Sequence, residues 1–113
     1  MTADDFRALA LALADTHEGA HMGKADFRRT PPGRIFASLP SAEVGVVLLT
    51  PEQQAVVLKT APTMFAKVKG GWGERGATQV LLKQASQARA RDALLLAWRN
   101  REPPPPSKRR KAR

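Results

Sequence analysis

The fold class the sequence predicts is an α+β two-layer sandwich, an antiparallel sheet with helices packed on one face. Three observations lead to it. Helical periodicity occurs near both ends of the chain and once in its middle, and short strand-like runs fill the intervals. Gly and Pro turns join those runs, and they are too short to be the helical crossovers a parallel sheet requires. The chain has 113 residues, is 42% hydrophobic and has no cysteine, which is enough for one such domain and too little for two.

The first helix is expected over residues 4–13. Thr2 can cap it, Asp4 and Asp5 suit its positive end, and Phe6, Leu9, Ala10 and Leu13 recur on one face. Turn chemistry then recurs at Gly23, at Thr30-Pro31-Pro32-Gly33 and at Pro40-Ser41. It sets off strands at 26–29, 34–39 and 43–49. Thr50-Pro51-Glu52-Gln53 combines a capping hydroxyl, a proline at the first helical position and a Gln that can reach back to the cap. A second helix to about residue 60 follows. Residues 64–68 and 77–82 read as strands around a glycine-rich loop. Residues 86–101 close the fold as a helix whose apolar side uses Ala90, Ala93, Leu94, Ala97 and Trp98.

The charge is strongly positive. Nineteen Lys and Arg face ten Asp and Glu, a net of +9. Residues 102–113 hold five of the bases and one of the acids, leaving fourteen against nine, or +5, in a domain of residues 1–101. The domain is therefore basic without its tail, and an anionic partner is indicated. Pro103 to Pro106 favours an extended spacer, and Lys108, Arg109, Arg110, Lys111 and Arg113 cluster beyond it. That segment is expected to be a disordered arm that reaches phosphates or keeps the chain soluble.

Two strings match catalytic or cofactor motifs without their context. His17-Glu18-Gly19-Ala20-His21 has zinc-protease spacing, but Gly19 and nearby turns disfavour the helix it needs and there is no third histidine; surface histidines are expected. Gly71-Trp72-Gly73-Glu74-Arg75-Gly76 has dinucleotide-binding spacing, yet a strand-like run follows where a helix must start. The glycines suit a tight loop that displays Trp72 and Arg75 near Lys67 and Lys69, in reach of a phosphate and a base; alternatively Trp72 packs back on the core. Lys24, Arg28, Arg29 and Arg34 gather around the Pro31-Pro32-Gly33 turn as a two-stranded wing, with Phe27 facing the core and Arg28 facing out. The four serines have no histidine and acid partners at recognisable spacing, so no catalytic residue, metal or cofactor is expected. The N-terminus does not read as a secretory signal and no apolar run is long enough to cross a bilayer, so a cytoplasmic protein without membrane attachment is expected.

Five blocks taken in order carry a family resemblance: His21-Met22-Gly23 with Asp26-Phe27-Arg28; Gly33-Arg34-Ile35-Phe36-Ala37; Leu49-Thr50-Pro51-Glu52-Gln53-Gln54; Gly70-Gly71-Trp72-Gly73 with Arg75-Gly76-Ala77-Thr78; and Ala97-Trp98-Arg99-Asn100. Over about residues 5–101 the chain resembles the MmcQ/YjbR family, although Ala14-Asp15 stands where that family usually has a leucine-proline pair. The resemblance implies a frataxin-like (CyaY-like) α+β arrangement and a DNA-binding role, and it carries over no catalytic residue. The expected function is a monomeric, non-enzymatic protein that contacts double-stranded DNA with weak sequence specificity. The alternative is a protein-interaction or regulatory domain using the Trp72 loop, its protein partner unassigned. Iron or another metal is a more distant reading, opposed by the positive balance.

Overall fold

The computed structural model describes residues 1–103. The chain runs α1 (Ala3–Leu11), β1 (Thr16–His21), β2 (Lys24–Arg29), β3 (Arg34–Leu39), β4 (Val44–Leu48), α2 (Pro51–Thr60), β5 (Phe65–Lys67), α3 (Gly71–Glu74), β6 (Ala77–Leu81) and α4 (Gln87–Arg99). All six strands pair antiparallel in one open sheet of order β1-β2-β3-β4-β6-β5. This is the α+β two-layer sandwich expected from the sequence. The tail residues Lys108, Arg109, Arg110 and Lys111 lie outside the described residues.

The helix starts follow their caps. Thr2 Oγ1 accepts from the Asp5 amide, and the Asp5 carboxylate accepts from the Thr2 amide. Thr50 and Gln53 repeat the same reciprocal box at α2. Helix α1 stops two residues short of the expected end. The turn beyond it is held by Trp98 Nε1 and Thr30 Oγ1, which donate to the carbonyls of Ala14 and Asp15.

Helices α1 and α4 lie together across one face of the sheet. Phe6 of α1 meets Phe27 of β2 edge to face at 6.3 Å, and both are fully buried. Ala90, Ala93 and Ala97 present a small-residue face that lets α4 approach the sheet, with Leu94, Phe36, Val47, Val80 and Leu82 closing the core.

Two elements depart from the sequence reading. Residues 16–21, expected as a junction, form the edge strand β1. It shows no apolar alternation because none of its residues is buried. The glycine-rich loop contains one helical turn, α3, before the strand that was expected there. Gly76 ends this turn at φ +116°, and a Cβ there would lie 1.9 Å from the Leu49 carbonyl oxygen. Only glycine fits.

Three outcomes follow for folding, each read by urea or acid denaturation. Gly76→Ala costs about 2 kcal/mol or more through backbone strain and collision. Phe6→Ala costs about 3–5 kcal/mol through the cavity it leaves. The hydrogen bonds from Thr2, backbone first and side chain second, hold the Asp5 carboxyl below its ordinary value of 3.8. Because the folded value is the lower one, this stabilisation is complete above the ordinary value and disappears as pH falls through the folded one. The stability difference between wild type and Asp5→Asn therefore narrows in acid and is constant near neutrality.

Candidate functional site

With the helices on one face, the other face of the sheet is bare. The strand register places Gly19, Asp26, Ser38, Val46, Gln79 and Ala66 in one row across it. Asp26 is nevertheless only 2% exposed, because Arg28, two residues on and therefore on the same face, lies over it. Arg28 Nε donates to Asp26 Oδ1 at 2.8 Å and Nη2 donates to Oδ2 at 3.1 Å, a bidentate pair that raises the Arg28 pKa, first by hydrogen bonding and then by charge. Nη1 has no partner among the described residues and is free for a further acceptor.

Gly19 of β1 makes room for this pair. A Cβ at that position would lie 2.8 Å from Arg28 Nε and 2.9 Å from Asp26 Oδ1.

The sheet splits beside the pair. Strands β3 and β4 hold register only at Ala37 with Val47 and Ser38 with Val46, and their other ends are not paired to each other. The residues after α4 bridge the split. Asn100 Nδ2 donates to the Leu48 carbonyl at 3.3 Å, and Arg101 Nε donates to the Ile35 carbonyl at 2.8 Å. Asn100 is itself fixed by reciprocal amide bonds with Gln53 at the start of α2. Burial, and then the like charge of Arg34, lower the Arg101 pKa from its ordinary value. A guanidinium remains charged at neutral pH despite such a shift. Arg34 and Arg101 are thus neighbouring cations, and neither they nor Lys24 forms an ion pair among the described residues.

These groups converge on a concave groove of about 690 Å³. Lys24, Arg28, Arg34 and Arg101 supply its cations, His21 joins them, and Ile35, Leu48 and Trp72 supply apolar surface. Trp72 stands at the groove on α3 with 53% of its surface exposed. Its backbone is firmly held. The buried Gln54 amide of α2 donates to the carbonyls of Gly73 and Ala77, each at 3.0 Å, and Gly73 packs so closely on the Val68 carbonyl that no side chain fits there.

The structure gathers some of the residues singled out from the sequence and separates others. Lys24, Arg28, Arg34 and Trp72 meet in the groove. Arg29 does not: strand alternation sends it to the helix side, where its guanidinium sits 3.6 Å over the Trp98 ring and donates to the Trp98 carbonyl. Lys67 pairs with Glu74 at 3.4 Å, while Lys69 and Arg75 are exposed but do not line the groove. The β2–β3 hairpin is no free two-stranded wing, since β1 pairs along the whole of β2 and β4 pairs with the far half of β3.

Asp26 and Gly19 were absent from the expected site, although positions 24, 26 and 28 share one strand parity that pointed to the Asp26 carboxylate. For Arg101 no sequence signal existed, because its place depends on where β3 and β4 part.

The two histidines also take a new meaning. On strand β1, His17 and His21 share the parity of Gly19, while Glu18 is on the other side, bound to Arg7 Nε of α1 at 3.0 Å. Among the described residues, no three His, Cys, Asp or Glu side chains converge as a metal site. No helix among them is long and apolar enough to cross a membrane. No family model, curated protein or solved structure matches the chain.

The seat under the ion pair can be tested by a double-mutant cycle. Gly19→Ala costs about 1–3 kcal/mol through overpacking, and part of that cost disappears when Arg28→Ala removes one of the two groups it collides with. Urea midpoints of the four proteins measure it.

Proposed function

We propose that the chain is a non-enzymatic nucleic-acid-binding protein whose contact surface is the bare face of its sheet. The observation that carries this reading is the convergence of Lys24, Arg34 and Arg101, none with a carboxylate partner among the described residues, on one groove that also holds an exposed tryptophan. Uncompensated cations held close together repel one another, and a bound polyanion relieves that repulsion while releasing its own counterions. Asp26 does not cancel the groove's charge, because its carboxylate is already neutralised by Arg28. The resemblance to the MmcQ/YjbR family points the same way.

Backbone contact through the three unpaired groove cations predicts that the logarithm of the binding constant falls with the logarithm of salt concentration at a slope of about −3, with little dependence on sequence. The measurement is fluorescence anisotropy of labelled oligonucleotides. To separate the domain from its tail, the full chain is compared with a form in which Lys108, Arg109, Arg110 and Lys111 are changed to Gln. The tail-neutralised chain retains the slope, and Lys24→Gln or Arg34→Gln each reduces it by about one. Loss of all salt-dependent binding on tail neutralisation would assign nucleic-acid contact to the tail and overturn this reading.

A further inference from the structure

The groove contains more than a phosphate-binding surface needs. A protein that holds a duplex only by its backbone has no use for an exposed aromatic ring, because the bases are stacked inside and offer no ring to it. Here the cations sit within a concavity of about 690 Å³, in the size range of pockets that enclose small organic ligands. Its apolar surface comes from Ile35, Leu48 and Trp72, which gain nothing from phosphate. Nor is the hairpin arranged to enter a duplex groove, since β2 and β3 are flanked by other strands.

Trp72 is the informative residue. A tryptophan left 53% exposed forgoes apolar burial, and on a mobile loop it could turn inward. This one cannot easily do so. Gln54 ties the carbonyl of the next residue to α2, and the Gly73 backbone abuts the Val68 carbonyl, so the indole is presented on a rigid platform. A ring carried on a backbone fixed in advance can stack on a flat partner at less ordering cost than one on a free loop. The cation pair Arg34 and Arg101 lines the same concavity, with the Arg101 guanidinium anchored on the Ile35 carbonyl.

We propose that this groove binds unpaired nucleotides, a base stacking on Trp72 while the adjoining phosphates lie against Arg34 and Arg101. The proposal rests on the nucleic-acid reading above and narrows it to single strands. Stacking on an aromatic side chain tolerates any base, so binding is insensitive to sequence, as expected for a surface without a reading helix.

The test uses the full chain and three probes, a ten-residue oligothymidylate, the RNA oligouridylate of the same length and a ten-base-pair duplex, each titrated by anisotropy at fixed salt. The single strands bind at least about tenfold more tightly than the duplex, and Trp72→Ala weakens single-strand binding by about tenfold without changing duplex binding. Trp72→Phe, which keeps a stacking ring, restores most of the loss. Comparison of the two single strands tells whether the sugar matters, and either preference supports the proposal. Equal affinity for duplex and single strand, or single-strand binding that ignores Trp72→Ala, overturns the proposal and leaves the broader reading standing. Absence of binding to all three probes overturns both.

Discussion

The parting of β3 from β4 is the constraint on which the rest of the bare face depends. Two pairs of residues hold these strands together, and then two carbonyls, those of Ile35 and Leu48, are left facing a gap. Carbonyls left without donors are costly where water is kept from them, and here both receive donors from elsewhere in the chain. They come from the residues that follow α4, Asn100 and Arg101. The end of the helix layer thereby reaches the opposite face of the sheet. A structural requirement, satisfying two orphaned acceptors, delivers a guanidinium into the groove and secures the far end of α4 to the sheet.

The same face shows how strand parity sorts charge. Arg28 and Arg29 are adjacent in sequence and chemically identical, yet one covers a buried carboxylate in the groove and the other stacks on Trp98 behind the sheet. The first keeps a free Nη1 for an anion, and the second is committed to holding α4 against β2. Net charge counted from the sequence does not distinguish them. Arg29 leaves the cation set and Lys67 is paired with Glu74, while Lys24, Arg28, Arg34 and Arg101 gather in the groove. The set of cations gathered in the groove is smaller than the sequence suggested and more concentrated.

Much of the fold was legible because its elements carry strong local signals. The two capping boxes marked α1 and α2, the proline-glycine turn marked the β2–β3 hairpin, and the small-residue face of α4 announced close packing. Strand β1 was not legible because its signal is missing for a physical reason: an edge strand with one bare face has no apolar residues to alternate. Its hairpin turn was half visible, since Gly23 was recognised, but Met22 also takes a positive φ of 54° and no propensity would have placed a methionine there. The candidate site divided in the same manner. Residues on the strands could be assigned by parity, whereas Arg101 and the role of Gly19 require knowledge of which distant segment lies alongside.

The histidine string on β1 illustrates why spacing acquires chemical meaning only through the element that carries it. Two imidazoles four residues apart on a helix stand on neighbouring turns of one face, close enough to share a metal ion. On a strand the same separation spans about 13 Å, and the intervening glutamate points to the opposite side of the sheet. Here Glu18 is engaged with Arg7 of α1, so it stabilises the contact between the first helix and the edge strand and has no access to the face that bears the imidazoles. Between them, Gly19 removes the one side chain that would displace the Arg28 guanidinium from Asp26. The segment that looks catalytic as a string is therefore, as a strand, the wall against which the groove's ion pair is built.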